Sequence, residues 1–183
     1  MLQNKKIAWL ITIVMITAGI FLGSYTSYLQ MRRPVVRAFR DEVESLLNEK
    51  IQLVYNMLEL YRLNAPYDMD TVEWVTNDIE RLQSEMAVMS AYNIFSTVLG
   101  QTAEGLYQQV ENMQLAGLVQ FDERDTVRMR SLLTNVQEMQ MILQQTDFNR
   151  YAAEYNAAVS GGVPILTRHF PIRSVWRMYP LFN

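Results

Sequence analysis

From Ile7 to Met31 the chain carries no charged side chain, and Ile7 to Gly23, IAWLITIVMITAGIFLG, is nearly all apolar. A run of that length has to be buried or placed in a bilayer. As a helix rising about 1.5 Å per residue, Ile7 to Tyr28 covers the roughly 30 Å of bilayer hydrocarbon. Trp9, Tyr25 and Tyr28 stand where interfacial aromatics belong. Lys5-Lys6 could also open a cleaved signal peptide, but the apolar run is long for that role and no small-x-small cleavage site follows Gly23. The expectation is an uncleaved single-pass transmembrane helix. Residues 1–31 then form a short N-terminal stub and the span, 34–160 a second domain, and 161–183 a tail.

Charge is divided sharply along the chain. All nineteen acidic residues lie between Asp41 and Glu154, where only seven basic residues accompany them. The flanks are purely basic: Lys5, Lys6, Arg32, Arg33, Arg37 and Arg40 surround the span, and Arg168, Arg173 and Arg177 follow the last acid. Basic residues beside a span attract anionic head groups, whereas an acidic body repels nucleic acid. Membrane lipid is therefore an expected partner and nucleic acid is not. The arginines after the span and the lysines before it pull orientation in opposite directions, which leaves the side occupied by the body open.

The body reads as all-α. Apolar residues at Val36, Phe39, Val43, Leu46, Leu53, Met57 and Leu60, with a second stripe at Leu47, Ile51, Val54, Leu58 and Tyr61, give the wide face of a bundle helix. Only Lys50 interrupts the first stripe. Pro34 permits a kink or a fresh start, and Ala65-Pro66 stops this helix. Asp70-Thr71-Val72-Glu73 has capping-box spacing and should open a second helix to about Leu99. Gly100 and Thr102 should end it, with a shorter third helix from Ala103 to about Leu118. Asp122 should cap the longest helix, from about Glu123 to Val159, with Met129, Leu132, Val136, Met139 and Leu143 at core spacing. The expected fold is a transmembrane helix followed by an antiparallel four-helix bundle. In an up-down bundle the fourth helix returns its tail to the span. Arg168, Arg173, Trp176 and Arg177 are then expected at the lipid interface, the alternative being a tail folded against the bundle.

Aromatic-asparagine pairs recur at Tyr55-Asn56, Tyr92-Asn93, Phe148-Asn149 and Tyr155-Asn156. Asparagine is poor inside a helix because its amide competes for backbone hydrogen bonds, so two pairs one heptad apart call for a tertiary reason. Asn56, Asn149 and Asn156 are expected to form a structural polar core that cross-links helices.

These residues give the chain a resemblance to the LemA family. Family members carry a Pro-Asn-Leu-Val run on the first bundle helix, where this chain has Tyr55-Asn56-Met57-Leu58 without the proline. They also carry an aromatic-Asn pair, five residues and Tyr-Asn on the last helix, which Phe148-Asn149 and Tyr155-Asn156 reproduce. Glu138 falls where the family has an upstream glutamate. A Phe-Pro step follows in the family; here Val163-Pro164 lies near that distance, and Phe170-Pro171 would need an insertion. Gln145 and Thr146 replace the family's arginines. The resemblance implies a LemA-like membrane-anchored bundle, associated in some members with membrane or compartment organisation, and the bacterial inner membrane is the expected location.

Nothing in the sequence announces a reaction. His169 is the only histidine and cysteine is absent, so His-based zinc motifs, a Ser-His-Asp triad and a thiolate nucleophile have no residues to build them. Tyr67-Asp68-Met69-Asp70 lacks the glycine and register of an EF-hand, and there is no Gly-rich phosphate loop. No cofactor, metal or catalytic residue is expected. The leading expectation is a non-catalytic scaffold or assembly protein at the membrane surface, whose partners are lipid, a second copy (a homo-oligomer) or another membrane protein. The other is a sensory or accessory subunit regulating a membrane enzyme or receptor.

Overall fold

The computed structural model describes residues 2–85, 92–119, 121–160 and 178–182. Among these every regular element is a helix, and there are no strands. Its first helix, α1 (Leu2–Ala38), passes through a five-residue π-turn at Phe39–Val43 and continues as α2 (Glu44–Asn64). The two together extend about 95 Å at 1.5 Å per residue. α3 covers Met69–Glu85, α4 Tyr92–Leu115, α5 Glu123–Gln145 and α6 Asp147–Ser160.

Among the described residues one helix is long and apolar enough to cross a membrane, and it is the N-terminal one. Ile7, Trp9, Leu10, Ile13, Met15, Ile16, Ile20 and Leu22 are all exposed. Phe21 and Tyr25 are half-buried, and full burial begins at Tyr28, whose hydroxyl donates to the Ala158 carbonyl at 3.1 Å. The apolar run and the packed body therefore meet over the two turns that end at Tyr28. Pro34 lies inside α1, so the helix neither ends nor restarts there. Proline removes only the bond to the carbonyl of Gln30, a residue that faces solvent.

The π-turn inserts one residue into the helical register: Glu44 N–H bonds Phe39 O. Beyond it Val43, Leu47, Ile51, Val54, Met57, Leu58 and Tyr61 are buried. α4 meets this rod in ascending order, with Tyr92 against Phe39 (ring centroids 4.2 Å), Ser96 against Lys50 and Met113 against Tyr61. α5 and α6 meet it in descending order. Asn64 bonds Asp125, Lys50 bonds Gln140, Glu42 accepts from Asp147 N–H, Phe39 packs on Phe148, and Tyr28 bonds Ala158.

Three helix limits differ from those expected. α3 is capped by Asp68, whose carboxylate accepts from Thr71 N–H at 3.4 Å and Thr71 Oγ1 at 2.9 Å, while Asp70 and Glu73 are exposed. Tyr61 decides this, because its buried hydroxyl donates to the Asp68 carboxylate and fixes it at the cap position. Burial first, and then that bond, hold the Tyr61 hydroxyl well above the ordinary tyrosine range. Second, Gly100 ends nothing. α4 runs through it, since a single glycine costs a helix only about 1 kcal/mol.

Third, the expected helix from Glu123 to Val159 is broken at Thr146, which takes extended backbone (ψ 150°). The break lies across from the π-turn, and the π-turn mends it. Glu42 Oε2 accepts from Asp147 N–H at 3.1 Å, placing a carboxylate at the positive end of α6. Glu42→Ala should therefore cost about 1 kcal/mol in chemical denaturation, as loss of a helix cap does. Glu42→Gln should recover part of it through its amide oxygen.

Candidate functional site

The two asparagines of α6 hold the non-helical segment 178–182, not another helix. Asn156 Nδ2 donates to the Tyr179 carbonyl at 2.7 Å, and Tyr179 N–H donates to Asn156 Oδ1 at 2.9 Å. One heptad earlier, Asn149 Nδ2 donates to the Phe182 carbonyl at 3.0 Å and accepts from Phe182 N–H at 2.9 Å. Each carboxamide carries a donor and an acceptor side by side, so it pairs with both main-chain groups of one residue as a neighbouring strand would. Asn149 Nδ2 also donates to Gln144 O at 2.8 Å, closing the end of α5. This corrects the expected helix–helix cross-link. The asparagines lie on the expected last helix, and their partners are Tyr179 and Phe182.

Aromatic rings line the contact. Phe148 is in edge contact with Tyr179 (6.5 Å) and Phe182 (5.8 Å), and Tyr155 with Tyr179 (5.3 Å), while Phe39 joins from the π-turn (5.6 Å to Phe148). Tyr179 and Phe182 are buried. Arg32 Nε donates to the Tyr179 hydroxyl at 2.9 Å, which ties the segment to the end of the apolar run. Beside it Arg32, Arg33, Arg37 and Arg40 line an open recess of about 620 Å³.

Asn56 does not belong to this site. It is exposed, because the buried face of α2 turns through Val54, Met57 and Leu58 and leaves position 56 outside. Asn93 sits in the first turn of α4, where its Oδ1 accepts from Ile94 N–H. Arg168, Arg173, Trp176 and Arg177 lie outside the described residues.

A second polar cluster was visible in the sequence only as a flaw in the first apolar stripe. Lys50 is fully buried, and its Nζ donates to Ser96 O (2.7 Å), Ser96 Oγ (3.1 Å) and Gln140 Oε1 (2.7 Å). Ser96 Oγ also donates to Gln140 Oε1 at 2.6 Å. The three acceptors match the three ammonium hydrogens, and none is a carboxylate. Burial accordingly pulls the Lys50 ammonium down to a pKa of about 8. Gly100 stands over it, where a β-carbon would meet Nζ at 3.7 Å, and a recess of about 310 Å³ opens beside Gly100, Gln101, Glu104 and Gln137.

Among the described residues no three His, Cys, Asp or Glu side chains converge as a metal site would require. Compared with known proteins, the chain matches no family model, no curated protein and no solved structure.

Proposed function

We propose that this chain is a single-pass membrane protein of LemA type, a non-catalytic scaffold presenting an antiparallel four-helix bundle at the surface of the bacterial inner membrane. One observation carries the reading: the exposed apolar stretch of α1 runs within one helix into the packed body, passing from the half-buried Phe21 and Tyr25 to the buried Tyr28. An exposed apolar stripe of that size needs a bilayer to cover it. The ascending contacts of α4 and the descending contacts of α5 and α6 support the up-down bundle. The heptad-spaced asparagines and their aromatic partners support the LemA likeness. Arginines around the recess at Arg32 to Arg40 suit anionic lipid head groups.

The unbroken helix from span to bundle also favours a second reading, an accessory or sensory subunit in which a turn of the span is carried into the body through the π-turn. A scaffold needs no such movement. Locking the π-turn by deleting Arg40, which restores α-helical register, distinguishes the two: a scaffold keeps its partners, and a transmitter loses its regulation.

The anchoring itself is tested by alkaline carbonate extraction. The full chain should remain in the membrane pellet, and a chain starting at Pro34 should appear in the supernatant. A full chain released by carbonate would overturn the proposal.

A further inference from the structure

Ser96, Gly100 and Glu104 follow one another at four-residue spacing along α4 and so share one face of it, while Gln137 and Gln140 stand about one turn apart on α5. The recess of about 310 Å³ lies between them, at the lower end of small-molecule sites, with the buried Lys50 at its floor. Glycine keeps that floor open. A β-carbon at position 100 would lie 3.7 Å from Lys50 Nζ, and among the described residues no other atom outside its own helix comes within 4 Å of that point. A carbonyl carbon set there stands almost at the approach of about 3 to 3.5 Å from which an amine attacks. Lys50 is closed to water, but Thr97, Gln101, Glu104 and Gln137 around the mouth are exposed, and exposed side chains change rotamer freely. Entry needs those side chains to turn.

We propose that the recess beside Gly100 receives a small oxo acid, a carboxylate beside a carbonyl, which Lys50 Nζ takes up reversibly as an imine. The carboxylate follows from charge. The three acceptors of Lys50 are all neutral, so its buried cation lacks the anion that would offset its desolvation, and a ligand carboxylate supplies one. Glu104 is exposed at the mouth, where water and salt screen its repulsion. Attack needs the free amine. Burial holds Lys50 at a pKa of about 8, so about a tenth of it is free at pH 7, against about one part in three thousand for an ordinary lysine. Nζ gives one proton to solvent, and its freed electron pair forms the N–C bond while the carbonyl π pair moves to oxygen, which takes a second proton from the nitrogen. That hydroxyl leaves as water on receiving a proton back from solvent, and the nitrogen pair closes C=N⁺–H. Ammonium and carbonyl thus give iminium and water, with no oxidant or further reactant. The product also fits its surroundings. One N–H remains for the Ser96 carbonyl, while Ser96 Oγ and Gln140 Oε1 stay bonded to each other.

The test treats the whole chain in neutral detergent micelles with glyoxylate and cyanoborohydride at pH 7, and locates labelled lysines by peptide mass spectrometry. Lys5, Lys6 and Lys50 are the chain's three lysines, so the first two are internal references. Lys50 should label at least about tenfold faster than either, a small part of its roughly 300-fold advantage in free amine. Gly100→Ala puts a methyl group where the carbonyl carbon must stand, at an ordinary contact distance from Nζ, and should slow Lys50 at least about tenfold with Lys5 and Lys6 unchanged. Asn156→Leu loosens the body away from the recess and should leave the Lys50 rate as it is. Glycolaldehyde, which lacks the carboxylate, should favour Lys50 over Lys5 less than glyoxylate does. Lys50 labelled no faster than Lys5, or Gly100→Ala without effect, overturns the site. Faster labelling in Asn156→Leu would mean reaction through unfolding and overturns it too, and equal preference for the two aldehydes overturns the oxo acid as ligand.

Discussion

Asn156→Leu should destabilise the folded body by about 2 kcal/mol, because it strips both main-chain bonds from the buried Tyr179 and leaves groups that cost about 1 to 3 kcal/mol when unpaired. In a chain of this length that is a fall of about 4 to 8 °C in melting temperature. Asn149→Leu should cost at least as much, since Asn149 also closes Gln144 O at the end of α5. The two together should cost less than their sum, because once the segment leaves, its polar groups return to water. Asn56→Leu is the matched control: exposed on α2, it should stay within about 0.5 kcal/mol of the parent. Circular dichroism melts of the four proteins check this, and equal effects at positions 56 and 156 would contradict the clamp.

Lys50→Met should act in the opposite direction and raise stability by about 2 kcal/mol at pH 7. The buried ammonium has three neutral acceptors and, among the described residues, no counterion, and replacing a desolvated charge by an apolar side chain of similar length is often stabilising. Ser96 and Gln140 remain bonded to each other when the lysine is gone. The pH dependence has a definite sign. Lys50 titrates near 8 when folded and near 10.5 when unfolded, so between those values the unfolded chain binds more protons and stability rises with pH. From pH 8 to 9.5 the gain should be about 1.5 kcal/mol, and Lys50→Met should abolish it. Above about pH 10 the raised tyrosines, Tyr61 foremost, reverse the slope, because the unfolded chain gives up their protons first. Urea titrations at pH 7, 8 and 9.5 read the whole curve. Destabilisation by Lys50→Met at pH 7 would mean that the three bonds outweigh the burial of charge. A buried charge that costs stability is a feature to be explained by function, and the recess beside Gly100 is where to look.

What could be read in advance depended on whether a residue's partner lay in its own helix. The apolar faces of α2 and α5 were legible because both stripes are set by helical period alone, and Val54, Met57, Met129 and Val136 are buried as that period requires. The asparagines at 149 and 156 were legible as residues needing a partner. Their partner was not, since Tyr179-Pro180-Leu181-Phe182 has no helical or strand period to mark it. Lys50 showed as a gap in a stripe, but its acceptors stand 46 and 90 residues away, beyond any local pattern. Thr146 gave no signal at all: the Asp147 N–H freed by the break is satisfied by Glu42, 105 residues earlier. Pro34 misled in the opposite sense. Its missing N–H forgoes one helical bond, to the exposed Gln30, and the helix passes through.

The proposed membrane anchoring requires that the apolar stretch of α1 stay attached to the body it enters. Intact-mass measurement of the protein extracted from membranes decides the point. A mass starting at Met1 or Leu2 is the predicted result, with Ile7 to Tyr28 retained as the anchor. A mass starting near Ser24 would show the apolar run to be a removed leader and would contradict it.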